Sequence, residues 1–233
     1  MKVAICGTQG GGKSTLVKNL SSNFPELWEH YDEPVRFIIE YINNFTLYNA
    51  GISISLNNGA CDFAQLTFLH YYNSLMHSKY DESTNHVFDR CAFDVMVFWQ
   101  NRFINKETNK FCIDNNNPEQ NFMLDLLPHS VSRVRDVLLN TLNFFDHIIF
   151  LESGAFKLLD DGVRDISPEY LRSIGDRFYD MYLQLHDRSI IKNLGFNEGD
   201  VVNYPKITYI SKEEIINNPP LHEYINNKLI LNN

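Results

Sequence analysis

Residues 7 to 14 read Gly7-Thr8-Gln9-Gly10-Gly11-Gly12-Lys13-Ser14, matching G-x-x-x-x-G-K-[ST] at every fixed position. Glycines tolerate positive φ, so consecutive main-chain N–H groups can turn inward around an anion. Lys13 adds a mobile positive charge for β- and γ-phosphates, and the Ser14 hydroxyl suits one coordination position of Mg²⁺. The flanks supply the context such a loop needs. Lys2-Val3-Ala4-Ile5-Cys6 is an apolar run of strand length, and Leu16, Val17 and Leu20 follow the loop at helical spacing. Strand, loop and helix thus come in the order that points a helix N-terminus at bound phosphate. Gly7 through Ser14, with Thr15 next in line, are the expected phosphate-binding residues.

A chain of 233 residues can build one large core with a lid. Hydrophobic content of 44% belongs to a globular chain and not to a disordered one. A net charge of −9 argues against a broad nucleic-acid-binding surface, which needs a basic face, though not against a small basic pocket. No apolar run reaches the roughly 18 residues of a membrane span. The first strand begins at Lys2, which leaves no room for a signal peptide within this sequence, and a cytoplasmic location is expected. Cys6, Cys61, Cys91 and Cys112 are widely separated and show no metal-ligand spacing, so four reduced cysteines in or near the core are expected. His70, His77, His86 and His147 lie beside apolar runs and read as packing residues.

Strand-length and helix-length apolar segments alternate, the pattern of an α/β protein with a parallel sheet. After Lys2–Cys6, strands are expected near Trp28–Tyr31 before Asp32-Glu33-Pro34, at His86–Phe88 before Asp89, at His147–Leu151 before Glu152, and at Lys206–Ile210 before Ser211. Phe63, Leu66, Leu69, Tyr72 and Met76 form a helical stripe with Gln65 at its edge. Phe93, Met96, Val97 and Phe98 form another after Asp89, and Val131, Val134, Leu138 and Leu142 a third after Pro128. Leu171, Ile174, Phe178, Met181 and Leu185 form a fourth, with Ser167 as N-cap, Pro168 at N1 and Glu169 at its positive end. The polar stretch 105–117 reads as a surface loop. The stretch 153–166 mixes glycines, acids, Lys157 and Arg164 between a strand and a capped helix, where a closing lid is expected, with an ordinary connecting loop as the alternative. The aromatic helices Phe63–Met76 and Phe93–Phe103 could hide a homodimer face, with core packing as the alternative.

Ligands of open parallel sheets bind beyond the carboxyl ends of the strands, where Glu33, Asp89 and Glu152 fall; a helix cap or a surface acid is the alternative for each, and the favoured one for Glu152. Phosphoryl transfer needs Mg²⁺ near the β/γ-phosphates and a carboxylate to take the acceptor proton. Glu33 and Asp89 have that chemistry. Arg90 can clamp an anion bidentately or pair with Glu33 or Asp89, and the two uses are compatible. Arg164 would neutralise charge on the transferred group if its segment closes.

Taken together, these motifs resemble the P-loop kinases of small nucleosides and nucleotides. One similar branch is the deoxynucleoside kinases, to which Glu33-Pro34-Val35, Phe63-Ala64-Gln65 and Asp89-Arg90-Cys91 correspond, with Cys91 in place of the usual serine. That resemblance implies Glu33 as general base, Arg90 as acceptor or phosphate clamp, and Gln65 as a reader of the base edge. The other branch is the ATPase/kinase domain family that includes nicotinamide riboside kinase domains. Glu33 with Arg36, Asp89, and Asp161-Gly162-Val163-Arg164 resemble its motifs, and the last of these pulls the assignment toward this branch. Both branches imply a P-loop NTPase three-layer α/β/α sandwich with a five-stranded parallel sheet and a small lid. The resemblance covers residues 1 to about 190 and implies ATP and Mg²⁺; residues 1–233 are read as one domain, with Ser14 and Asp89 expected to hold the metal. A nucleoside, riboside or nucleotide acceptor would meet Glu33, Arg36, Gln65 and Arg90. The rival readings are a kinase of a modified base within DNA, which the acidic charge disfavours, and a nucleotide-hydrolysing switch acting through a partner.

Overall fold

The computed structural model describes residues 1–33, 84–105, 108, 134–156 and 167–230. Within them the strands fall where the apolar runs place them, to within one residue at either end. They are β1 (Lys2–Gly7), β2 (Trp28–Tyr31), β3 (Asn85–Asp89), β4 (His147–Leu151) and β5 (Lys206–Ile210). All neighbouring pairs are parallel, and the sheet order is β2-β3-β1-β4-β5. β1 is therefore central. Its register pairs Ile5 with Asp89 on one side and Gly7 with Leu151 on the other.

A parallel sheet is covered on both faces, so its central strands β1 and β4 are almost continuously apolar and buried, while the edge strands β2 and β5 stay partly exposed. The alternation of side chains divides β1 between two cores. Ala4 and Cys6 join Phe88, Phe150, Phe93, Leu138 and Phe178 on one face. That face is covered by α2 (Ala92–Phe103), α3 (residues 134–144) and α4 (Pro168–His186). Val3 and Ile5 join Leu16, Leu20, Val87, Ile149 and Ile225 on the other. There α1 (Lys13–Asn23), α6 (Lys212–Asn217) and α7 (Leu221–Ile230) close the layer, and the short α5 (Ser189–Asn193) follows α4. The result is the three-layer α/β/α sandwich.

The start of α4 follows its sequence signals. The Ser167 hydroxyl accepts from the Tyr170 N–H, Pro168 stands in the first turn, and Glu169 lies beside it. Ile174, Phe178, Met181 and Leu185 are buried, each worth about 1.5–3 kcal/mol. Aromatic residues of α2 serve the core: Phe93 is fully buried, and Phe98 meets Phe178 edge-to-face at 5.5 Å. The helical stripe Phe63–Met76, Pro34 to Arg36, most of the 105–117 loop and residues 157–166 of the expected lid lie outside the described residues.

Candidate active site

The phosphate loop leaves β1 at Gly7 and enters α1 at Lys13. Gly10 (φ 73°) and Gly12 (φ 81°) hold left-handed backbone, which turns the loop around its own amides. Lys13 is 5% exposed, and its Nζ donates to the Thr8 carbonyl at 2.5 Å, reaching back across the loop. Burial, and then the Arg90 guanidinium nearby, pull its pKa down to about 8 against the opposing pull of Asp89, Asp94 and Glu33. The Ser14 hydroxyl donates to Asp89 Oδ2 at 2.5 Å.

Asp89 ends β3 and is 2% exposed. Its second oxygen, Oδ1, is buried with no hydrogen-bond partner among the described residues. A buried oxygen left over beside a hydroxyl is a set of hard donors, and such donors suit Mg²⁺.

Arg90 follows with φ 81°, a left-handed conformation rare for a side chain this large. Its N–H donates to the Ile5 carbonyl at 2.9 Å, which extends the β1–β3 ladder one step. Its guanidinium forms an ion pair with Glu33 at 2.7 Å and lies 4.9 Å from the Phe98 ring centroid. Burial alone would lower its pKa, but Glu33, Asp94 and Asp89 outweigh it and raise the value. Of the two acids expected as pairing partners of Arg90, Glu33 is the one within ion-pair distance. Glu33 is drawn from the end of β2 to the end of β3.

Gln9, Gly10, Gly12, Lys13, Ser14 and Thr15 line one cavity of about 740 Å³ together with Glu33 and Arg90. The same cavity is lined by an apolar group, Phe156, Ile215, Ile216, Pro219, Pro220 and Leu221, and by His222. This wall was missed in the sequence. Phe156 belongs to the expected lid and lies against the loop, where a Cβ on Gly12 would come within 2.5 Å of its ring. The Ser211-Lys212-Glu213-Glu214 capping box, in which Glu214 and Ser211 bond each other's backbone, was the available signal for the helix that carries Ile215 and Ile216.

Gly7 and Gly11 shape the loop, and Thr8 turns toward a second hollow. Glu152, the third acid at a strand end, accepts from the Lys212 N–H at 2.6 Å and so holds the start of α6. Arg36, Gln65 and Arg164 lie outside the described residues.

A glycine nest at the head of the central strand of a parallel sheet, followed at once by a helix, defines a P-loop fold. Residues 2–196 match the protein family described as an AAA domain, and the chain belongs to that family. No curated protein matches the sequence. Among solved structures the chain is similar to deoxyadenosine kinase from M. mycoides with the products dCMP and a flexible dCDP bound. The TM-score is 0.56 at 19% identity over 100% of both chains. The same enzyme with bound dATP gives a TM-score of 0.56 at 21% identity over 99% of each chain. At such identities the likeness is one of fold, and it agrees with the P-loop sandwich read from the motifs.

Proposed function

We propose that this chain is an ATP-dependent small-molecule kinase, moving the γ-phosphoryl group of ATP to a hydroxyl or phosphate of a nucleoside, riboside or (deoxy)nucleotide. The observation that carries this reading is the shared cavity. One cavity brings together an anion nest with Lys13, an apolar wall suited to a base and a Glu33–Arg90 pair suited to an acceptor. A switch that only hydrolyses nucleotide has no need of the third part. The fold neighbour holds deoxynucleotides, which makes that class the natural start of an acceptor screen.

In this scheme the loop amides and Lys13 hold the phosphates, with Nζ leaving the Thr8 carbonyl for phosphate oxygen. Ser14 and Asp89 would hold Mg²⁺, which when bound neutralises charge on the β- and γ-phosphates. Glu33 accepts the proton of the acceptor hydroxyl as its oxygen bonds the γ-phosphorus and the bond to the β-phosphate oxygen breaks, releasing ADP. Arg90 orients Glu33 and binds negative charge on the acceptor side. Arg164 keeps its expected role at the transferred group, and Arg36 and Gln65 the roles the resemblance implies, at the acceptor and the base edge. Residues 1–233 act as one domain with 153–166 as its lid.

The test is incubation with labelled ATP, Mg²⁺ and a panel of nucleosides, deoxynucleoside monophosphates and nicotinamide riboside. A labelled acceptor supports the kinase. Release of inorganic phosphate alone, unchanged by any acceptor, refutes it.

A further inference from the structure

Buried beside Gly7 and Arg90 is a carboxylate that the proposed chemistry does not use. Asp94 is the third residue of α2 and is 0% exposed. Its Oδ1 accepts from the Gly7 N–H at 3.1 Å, the first amide of the phosphate loop. Its Oδ2 accepts from the Cys91 N–H at 3.1 Å. The Arg90 guanidinium stands 3.6 Å from Oδ1. One buried carboxylate thus touches the donor half of the site through Gly7 and the acceptor half through Arg90 and Cys91. The neighbouring Cys6 and Cys91 sulfurs, 3.3 Å apart, complete its surroundings as buried thiols.

Burying a carboxylate is costly unless it is paired and hydrogen-bonded, and here both oxygens are used. The pairing also bears on a strained residue. Left-handed backbone at Arg90 is strained and persists only where its surroundings over-determine it. Its own N–H is held by Ile5, the next N–H by Asp94, and its side chain by Glu33 and Asp94.

We propose that Asp94 is a positioning residue that fixes the spacing between the phosphate loop and the Arg90 clamp. Its effect on turnover rests on the kinase reading; its effect on the backbone does not.

Asp94→Asn keeps the shape but can accept only one of the two N–H bonds and presents an NH₂ to the other. Two measurements test the proposal. The first is a kinetic double-mutant cycle with Arg90→Lys. Asp94→Asn is expected to lower kcat roughly 10- to 100-fold, the scale of a small misplacement at a reacting centre, with KM for ATP within about threefold. The double variant is expected to lose no more than the worse single variant. Losses that multiply would show that Asp94 acts independently of Arg90 and would overturn the proposal.

The second is amide exchange of the ligand-free protein, which needs no turnover. Faster exchange at Gly7 or Cys91, with the rest of β1 and α2 still protected, is expected. Unchanged exchange at both overturns the proposal even if wild type phosphorylates an acceptor. A wild type that phosphorylates nothing refutes the kinase reading and leaves the exchange arm to decide the role of Asp94. Asp94→Ser repeats both arms if Asp94→Asn is recovered unfolded.

Discussion

Replacing Gly7 by alanine separates backbone from side-chain causes within one loop. Gly7 has φ 134°, and a Cβ built there would stand 2.4 Å from the Leu151 carbonyl oxygen. That oxygen belongs to the strand paired with Gly7 in the β1–β4 ladder, so it cannot rotate aside as a side chain does. The unfavourable φ costs about 1–3 kcal/mol, and moving β4 to relieve the contact costs about 1–3 kcal/mol more. Melting temperature in a chain of this length falls about 2–4 °C per kcal/mol, so Gly7→Ala is expected to melt roughly 5–20 °C below wild type. Gly12→Ala meets the Phe156 ring at 2.5 Å, but that side chain is 48% exposed and can swing away. Its cost reduces to the φ term, about 1–3 kcal/mol. Gly11→Ala finds its nearest neighbour at 3.5 Å, an ordinary contact, and should cost the least of the three. Thermal unfolding followed by far-ultraviolet circular dichroism measures the series. A Gly7→Ala protein as stable as Gly11→Ala would refute the reasoning, because it would mean that the β1–β4 backbone gives way freely.

Other consequences follow from the titrating groups and the metal donors. Lys13, pushed down to about 8, is half neutral at that pH in the ligand-free protein, so ATP affinity should fall above pH 8 with proton uptake on binding. Calorimetry in buffers of different ionisation heat checks this, and affinity that stays flat from about pH 7 to 9 contradicts it. His147 is pushed down from 6.5 to about 4 by burial, with Lys206 and Lys228 adding to the effect, and its ring shares a hydrogen bond with Thr208. Between those values the unfolded chain binds the proton and the folded chain does not. Stability is therefore full above pH 6.5 and is lost as pH falls toward 4, by about 3 kcal/mol. Urea unfolding across that window should flatten in His147→Gln. Asp89→Asn should lower kcat at least roughly 100-fold and raise the Mg²⁺ concentration needed for half-maximal rate. An unchanged Mg²⁺ dependence would remove Asp89 from the metal site.

The strands were legible because a parallel sheet buries both faces, which makes Lys2–Cys6 and His147–Leu151 nearly continuous apolar runs. The phosphate loop was legible because its glycines are required by backbone geometry at fixed spacing. Asp89 stood out as an acid ending a strand, and the start of α4 was marked by Ser167 and Pro168. What escaped the sequence depends on contacts between distant segments. Asp94 looks like an ordinary first-turn acid of a helix until β1 brings Gly7 against it, 87 residues away in the chain. Cys6 and Cys91 show no motif because their pairing arises from sheet order. The apolar wall combines Phe156 with Ile215, Ile216, Pro219, Pro220 and Leu221, and neither segment has a periodicity that announces a ligand. Glu152 satisfies the same strand-end rule as Asp89, and the helix-cap reading favoured for it agrees with its bond to the start of α6, because it ends β4 next to the strand that leads into that helix.

The claim on which the rest depends is that the loop and Lys13 hold a nucleoside triphosphate. Calorimetric titration of the purified full chain with ATP in the presence of Mg²⁺, beside Lys13→Ala, measures it directly. The account predicts saturable binding with Kd within about 1 μM to 1 mM for wild type, and a loss of affinity in Lys13→Ala while its melting curve shows it folded. No heat of binding in the folded wild type, or equal affinity in the two proteins, would contradict it.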